Sequence, residues 1–232
     1  MRGIREFFKG EDMKKKSLIY MIVAIVLAVA FCVLTVLLVS VDVRPAGQSE
    51  APVGFATLNE AVFEAIGQNG TALTVSKLSG LCMIAAVAAF GVLGLVQVIT
   101  RKGILRADKE LYLMLCGLAA LAAAYMLFEL VVINYRPVLD EGQLAASYPS
   151  SHTMLAVAVA GMGMTYVLRR VKSNALAYTF YGVLNVAAVV TVVCRLLGGV
   201  HWLTDIVGGL LVGLAITFGY MSACAMLPDT SE

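Results

Sequence analysis

Six long apolar blocks alternate with short polar segments along the chain. They are residues 17–41, 78–100, 111–133, 154–168, 175–193 and 206–227. Most have about the 20 residues that a helix needs to cross a bilayer core of roughly 30 Å. None shows the period-two alternation of a barrel strand, and backbone groups in lipid must be hydrogen-bonded internally. The pattern therefore predicts an all-α fold, a polytopic membrane bundle with six transmembrane helices.

Composition supports a membrane protein of one domain. Of the 232 residues, 60% are hydrophobic and 14% are charged, whereas soluble proteins carry about 25% charged residues. The first block is longer than the core of a signal peptide, and no small-residue cleavage site follows it cleanly. We interpret it as a retained anchor and expect a single membrane-embedded domain over residues 1–232.

The basic residues predict the orientation of the bundle. Thirteen of the 17 lysines and arginines precede the first block or lie between blocks two and three or four and five. By the positive-inside rule these segments are cytoplasmic, which puts both termini inside a multi-pass protein of the cytoplasmic membrane. Residues 1–16 then form a basic cytoplasmic N-terminus. Because topology explains the basic residues, the net charge of +2 predicts no nucleic-acid partner; the oligomeric state is not predicted.

The longest predicted external loop covers residues 42–77. Within it, Thr57-Leu58-Asn59-Glu60 fits a helix capping box. Leu58, Val62, Phe63 and Ile66 follow at helical spacing. This predicts a short amphipathic helix at the outer membrane interface, either a packing element, which we favour, or a gate for substrate.

The chain has only two histidines, and both lie in polar clusters at predicted external ends of the spans. His152 ends the run Tyr-Pro-Ser-Ser-His, and His201 lies six residues after Arg195 and four before Asp205. Histidine exchanges protons near neutral pH, and an aspartate on the same helix face could orient His201. Residues 198 and 199 are glycines that would let the backbone turn toward one pocket. Trp202 is interpreted as an interface anchor.

The same membrane depth is predicted to hold an anion site. Arg136 and Arg195 carry guanidinium groups that suit phosphate oxygens. Ser150 or Ser151 can cap the fourth transmembrane helix, whose N-terminus attracts anions. The five cysteines fall within or beside the apolar blocks, and no cysteine–histidine pair has metal-ligand spacing.

These residues resemble the type 2 phosphatidic acid phosphatase family, within the acid phosphatase and vanadium haloperoxidase superfamily. Its motifs are Lys, six intervening residues and Arg-Pro, then Pro-Ser-Gly-His, then Ser-Arg, five intervening residues, His, three intervening residues and Asp. This chain has, in the same order, Arg136-Pro137, Pro149-Ser150-Ser151-His152, and Cys194-Arg195 followed by His201 and Asp205.

The resemblance implies a mechanism residue by residue. His201 would attack phosphorus and become a phosphohistidine, Asp205 would orient it, and His152 would protonate the leaving oxygen and then activate water. The substrate oxygens would be held by Arg136, Arg195, Ser150 and Ser151. The resemblance implies no metal and no other cofactor.

Three positions depart from the family pattern. Ser151 replaces glycine, Cys194 replaces serine, and Glu129 stands where the first motif has lysine. Glu129 is a candidate modulator, two helical turns before Arg136 and so expected on the same helix face. It could pair with Arg136 or Arg195, be protonated by burial, or face another helix away from the substrate.

The resemblance implies a membrane phosphatase acting on a lipid phosphate or pyrophosphate at the outer membrane face. Polyprenyl pyrophosphate is the favoured substrate, because many small bacterial members of the family recycle it. Phosphatidic acid and phosphatidylglycerol phosphate come next. Two alternatives stay open: a degenerate protein that binds phospholipid without hydrolysing it, and a lipid phosphotransferase.

Overall fold

The structure is a computed structural model that describes residues 13–48 and 50–228. In this part of the chain, six helices are long and apolar enough to span a membrane. In order, the elements are α1 (Met13–Leu38), β1 (Arg44–Ala46), β2 (Ala51–Val53), α2 (Ala56–Ile66), α3 (Gly70–Thr100), a single 3-10 turn (Ile104–Arg106), α4 (Lys109–Leu130), α5 (Ser151–Arg170), α6 (Asn174–Leu197) and α7 (Leu203–Ala225). The predicted six-helix membrane bundle is confirmed. The short antiparallel hairpin β1–β2 was not predicted.

Helix boundaries differ from the apolar blocks where polar side chains cap a helix. α3 begins at Gly70, well before the block at 78, because the Asn69 side chain accepts the Ala72 N–H at 2.9 Å. An asparagine at this position satisfies a backbone donor that would otherwise lack a partner. The loop before α3 therefore ends at residue 69, not 77. α4 ends at Leu130, three residues before the end of its block.

The predicted amphipathic helix is present as α2, although its start and its buried face differ from the prediction. Thr57 is not the N-cap: its own N–H donates to the Asp42 carboxylate at 2.7 Å, and the helix begins at Ala56. Asn59 is fully buried, whereas Leu58 is 48% exposed. The Asn59 side chain bonds Gly54 O at 2.9 Å and Thr204 Oγ1 at 3.0 Å. α2 thus packs on the start of α7, as expected of a packing element.

α5 is the central helix of the bundle, and α7 packs closely against it. A Cβ atom on Gly213 would lie 2.8 Å from Val157 Cβ, and one on Gly209 would lie 2.8 Å from the Ser150 carbonyl oxygen. Only glycine allows two helices to approach this closely. The contact holds the N-terminal turns of α5 and α7 side by side, and these turns carry both histidine motifs.

The loops divide between the two ends of the bundle. The site end holds residues 39–69, 131–150 and 198–202, and the opposite end holds residues 101–108 and 171–173. At the opposite end, the buried Asp108 accepts hydrogen bonds from Gln97, Arg101 and Tyr166. The cytoplasmic N-terminus was predicted over residues 1–16, and most of it, residues 1–12, lies outside the described residues.

Candidate active site

Two loops bring the predicted residues together at the site end. Residues 131–150 connect α4 to α5, and residues 198–202 connect α6 to α7. A backbone hydrogen bond from Ser150 N–H to the Asp205 carbonyl, at 3.0 Å, ties the first loop to the start of α7. The sequence expectation that both histidine motifs share one region is met by this geometry.

His201 lies in a turn before α7 and not on a helix. The expectation of a shared helix face with Asp205 was wrong, because α7 begins at Leu203. Gly199 reverses the chain with a φ of 66°, and a Cβ there would lie 2.8 Å from the Gly67 carbonyl oxygen. The predicted pairing survives: His201 Nδ1 lies 3.6 Å from Asp205 Oδ2. The Asp205 carboxylate also accepts the Trp202 N–H at 2.8 Å.

Ser147, which the sequence reasoning missed, joins this pair. Its hydroxyl lies 3.1 Å from His201 Nδ1 and donates to Asp205 Oδ2. All three side chains are buried, at 3% exposure for Ser147, 4% for His201 and 0% for Asp205. The only signal in the sequence was a hydroxyl residue two positions before Pro149.

Two buried nitrogen atoms in the site have no hydrogen-bond partner among the described residues. They are His201 Nε2 and Arg195 Nε. Buried polar atoms are almost always hydrogen-bonded, so an orphaned acceptor and an orphaned donor in one site point to a ligand that both would bind. The ligand would need an atom open to attack by a nitrogen lone pair and an oxygen that accepts from a guanidinium.

Burial keeps the His201 imidazole uncharged. It lowers the pKa of His201 below the ordinary value, against the opposing effect of the nearby Asp205 carboxylate, and the positive charges of Arg195 and Arg136 lower it further. His201 is therefore neutral at pH 7, and a neutral imidazole keeps one nitrogen lone pair free. With Nδ1 engaged by Ser147, that lone pair is on Nε2.

Arg195 contacts His152 directly and acts on His201 through its charge. It is buried near the C-terminus of α6, and its Nη2 lies 2.9 Å from His152 Nδ1. Since a guanidinium only donates, His152 Nδ1 must accept, and the proton of a neutral His152 is then on Nε2. His152 is the second residue of α5 and only partly buried.

A cleft beside His201 contains the predicted modulator. The cleft has a cavity volume of about 20 Å³. Glu129, Arg136, Ser151 and His201 line it, together with Tyr125, Phe128, Ala146, Ser147, Tyr148 and Pro149. Arg136 Nη1 pairs with Asp140 at 2.8 Å, and no ion pair of Glu129 is found in the described part of the chain. The expected pairing with Arg136 or Arg195 is therefore absent.

The positions of Glu129 and Arg136 also correct the helix-face expectation. α4 ends at Leu130, so Arg136 belongs to the following loop and the two residues share no helix face. They meet in the cleft through tertiary structure. The reading that Glu129 faces another helix away from the substrate was wrong as well, because its side chain lines the same cleft as His201.

The two serines of the second motif have different environments. Ser150 is the N-cap residue of α5, but its hydroxyl makes no capping hydrogen bond; it accepts from Thr153 Oγ1 at 3.1 Å. Ser150 is fully buried, whereas Ser151 lines the cleft. The structure therefore brings Ser151, but not the Ser150 hydroxyl, to the space that a substrate would occupy.

Two asparagines and a tryptophan hold the segment around His201 and Asp205 in place. Asn134 Nδ2 approaches Asp205 Oδ1 at 3.5 Å, and Asn59 Oδ1 accepts the Thr204 N–H at 3.2 Å. Trp202 is 1% exposed and donates to the Tyr135 carbonyl at 2.7 Å. The interpretation of Trp202 as an interface anchor was wrong: it packs in a small core with β1, β2 and α2.

The charged groups at the site favour anion binding. Arg136 and Arg195 place two guanidinium groups at the site, and in the described residues no group of three or more histidine, cysteine or acidic side chains is arranged to hold a metal ion. Guanidinium groups bind phosphate oxygens in a planar, bidentate manner.

Comparison with known proteins agrees with this geometry. A family profile described as the PAP2 superfamily matches residues 131–227, which include both loops and helices α5 to α7 but not Glu129. A crystal structure of a transmembrane PAP2-type phosphatidylglycerolphosphate phosphatase from Bacillus subtilis is similar to the chain, with a TM-score of 0.66 and 17% sequence identity. The match covers 89% of this chain and 98% of that one, and at this identity it establishes the fold. No curated protein sequence matches the chain.

Proposed function

We propose, because residues 131–227 match the PAP2 superfamily profile, that the protein is a metal-independent phosphatase of membrane lipids that works through a phosphohistidine. The observation that carries the proposal is the pair of orphaned buried atoms, His201 Nε2 and Arg195 Nε. One is a nucleophile in its reactive neutral form, and the other is a donor for a phosphate oxygen.

The proposed reaction has two steps. When the substrate binds, the Arg195 guanidinium donates to a phosphoryl oxygen in place of His152 Nδ1, and His152 takes up a proton from solvent to become an imidazolium. The His201 Nε2 lone pair then attacks phosphorus, the phosphorus–oxygen bond to the lipid breaks, and His152 gives its Nε2 proton to the leaving oxygen and becomes neutral. His152 then accepts a proton from water, which attacks the phosphohistidine and releases inorganic phosphate. Arg195 and Arg136 stabilise charge that develops on the phosphoryl oxygens, the role in which preorganised donors contribute most.

The location of the site supports a lipid substrate. The cleft opens where the spans end, and the aromatic residues Tyr125 and Phe128 of α4 line it. A headgroup can enter this cleft while its apolar tail stays in the bilayer. The site end lies opposite the loops that carry most of the lysines and arginines, and the positive-inside rule supports an outer-face site.

Glu129 changes our order of substrates. Polyprenyl pyrophosphate came first by resemblance, but an unpaired carboxylate in the cleft disfavours the most negatively charged headgroup. A lipid phosphate monoester therefore comes first, as phosphatidic acid or phosphatidylglycerol phosphate, and the activity named for the Bacillus subtilis neighbour is of this class. Polyprenyl pyrophosphate is second.

The test is phosphate release by the purified protein in detergent from a panel of lipid phosphates and pyrophosphates. We expect release from at least one lipid, with a labelled phosphoryl group trapped on the protein in an acid-labile form. His201→Ala should abolish both signals at unchanged thermal stability. Full activity in that variant would exclude the mechanism. Binding without release across the panel would support the non-hydrolytic alternative, and phosphoryl transfer to an alcohol in place of water would support the phosphotransferase.

A further inference from the structure

The contact between the proposed nucleophile and its carboxylate runs through a third side chain. His201 Nδ1 lies 3.6 Å from Asp205 Oδ2, which is beyond a good hydrogen bond. The Ser147 hydroxyl lies 3.1 Å from the same nitrogen and also donates to the same carboxylate oxygen. The hydrogen-bonded path from the imidazole to the carboxylate therefore runs through the serine.

The direction of these hydrogen bonds follows from proton counting. A hydroxyl has one proton, and an ionised carboxylate can only accept. Ser147 therefore donates to Asp205 and has only lone pairs to offer His201 Nδ1. The imidazole must then carry its proton on Nδ1, which leaves the Nε2 lone pair free.

Ser147 is held firmly enough to impose this arrangement. Its N–H donates to the Asn134 carbonyl at 2.9 Å. The next residue, Tyr148, stacks on Phe31 with ring centroids 5.7 Å apart and bonds Thr35 through its hydroxyl at 2.9 Å. The same oxygen, Asp205 Oδ2, also accepts the Trp202 N–H at 2.8 Å. Because both partners of this buried hydroxyl are held in place, the fold fixes the side-chain rotamer of Ser147 and the direction of its two hydrogen bonds.

We propose that Ser147 is a positioning residue that couples His201 to Asp205 and holds the nucleophile in its reactive tautomer, so that the relay is histidine–serine–aspartate. This inference rests on the proposed function for its catalytic meaning. Its structural content, the tautomer of His201, can be measured without any substrate.

The first experiment uses the fact that the chain has two histidines. Protein labelled with 15N-histidine and purified through a histidine-free tag gives two imidazoles, and His152→Gln leaves His201 alone. We expect this variant to show the Nδ1–H tautomer, and the addition of Ser147→Ala to populate the Nε2–H tautomer and shift the titration of His201. An unchanged tautomer and an unchanged titration in Ser147→Ala would overturn the proposal.

The other groups that face His201 are constant in this comparison. They are Asp205 of α7, Arg195 of α6, Arg136 of the 131–150 loop, Ser151 of α5 and Glu129 of α4. Only the serine hydroxyl changes between the two proteins, so a shift in the titration reports its removal.

The second experiment is kinetic. Ser147→Ala should lower kcat about 10- to 100-fold, less than the roughly 10²- to 10⁴-fold contributed by a group that itself transfers the proton, with KM changed less than about threefold. Ser147→Thr keeps the hydroxyl and should restore most of the activity. Ser40→Ala is the matched control, since this hydroxyl is at the same end but bonds only carbonyls of α1.

The outcomes separate the two proposals. Normal kcat in Ser147→Ala overturns the positioning role. If Ser147→Ala does not fold, Ser147→Cys, with a weaker donor, replaces it in both experiments and should be intermediate; wild-type behaviour of the cysteine variant also overturns the role. If the wild-type protein releases phosphate from no lipid, the proposed function fails, and the tautomer measurement still decides the inference.

Discussion

The charge of Glu129 should set how strongly the protein discriminates between lipid headgroups. The carboxylate lines the same cleft as His201 and Arg136, and no ion pair of it is found among the described residues. We take a separation on the order of 8 Å between the Glu129 carboxylate and a substrate phosphate in this cleft. One charge pair at that separation then contributes roughly 0.5 kcal/mol at the dielectric constant of water and about 2 kcal/mol at an effective dielectric constant of 20. Each added negative charge on the substrate should therefore cost about two- to thirtyfold in kcat/KM.

Two substitutions and two substrates test this reasoning. Glu129→Gln removes one negative charge, and Glu129→Lys reverses it, so the change in transition-state free energy should be about twice as large for lysine. Both changes should favour a lipid pyrophosphate over the matching lipid monophosphate, because the pyrophosphate carries more charge. Salt should weaken the effect, since the cleft is open to solvent.

The assay measures kcat/KM for polyprenyl monophosphate and pyrophosphate of equal chain length at two salt concentrations. Glu64→Gln and Glu64→Lys are matched controls, because Glu64 is an exposed acid on α2 at the same end of the bundle. Equal effects on both substrates, or an effect of Glu64 equal to that of Glu129, would refute the electrostatic account. Loss of activity in both Glu129 variants would instead assign the carboxylate a role of its own.

Two further predictions concern His201 and Lys77. Because burial lowers the pKa of His201, the acid limb of kcat/KM should lie below the ordinary histidine value of about 6.5, and a limb at or above that value in a pH profile would contradict the buried environment. Between that value and the lowered pKa the unfolded chain binds more protons, so thermal stability should fall as the pH falls through this window. Lys77, on the first turns of α3, lies close enough for its charge to act on His152. Lys77→Met should raise KM about two- to fivefold if this lysine supplies the charge that Glu129 does not, whereas Lys102→Met at the opposite end should leave KM unchanged.

The spans could be predicted from the sequence because hydrophobicity alone decides them. Their ends could not, because they depend on single side chains such as Asn69, whose carbonyl oxygen begins α3 eight residues before the apolar block. The same holds for α7, where the start at Leu203 removes His201 from the helix. Apolar content fixes which residues lie in lipid, and capping chemistry fixes where the backbone leaves the helix.

Motif spacing indicated the residues that carry charge or protons but not those that orient them. Ser147 and Asp205 are 58 positions apart, and Asn59 and Thr204 are 145 apart. Such contacts arise when the 131–150 loop and α2 fold over the start of α7, and no local pattern encodes that. Glu129 is an intermediate case: the family pattern marked it, but its presence in the cleft follows from the loop that brings Arg136 back toward α4.

Buried charges occur at both ends of the bundle, and their hydrogen bonding suggests which of them serve stability. Asp108, at the opposite end, is 6% exposed. It accepts from Arg101 at 2.9 Å, Gln97 at 2.9 Å and Tyr166 at 2.8 Å. Burial opposes the charge, but these hydrogen bonds outweigh it and lower the pKa of Asp108. Arg195, at the site end, keeps an orphaned Nε.

A pair of substitutions should therefore have opposite effects. Asp108→Asn places an amide against three donors and should cost about 2–4 kcal/mol of stability with kcat unchanged. The contribution of Asp108 is complete above the unfolded pKa of about 3.9 and is lost as the pH falls through the lowered folded value, so the variant should differ least from wild type in acid.

Arg195→Gln should lower kcat about 10²- to 10³-fold and leave the thermal midpoint equal or higher, because an incompletely satisfied buried charge is removed. The measurements are thermal unfolding in one detergent and phosphate release from one lipid. A loss of kcat in Asp108→Asn at unchanged stability, or a loss of stability in Arg195→Gln at unchanged kcat, would show that hydrogen-bond satisfaction does not separate structural from functional charge in this protein.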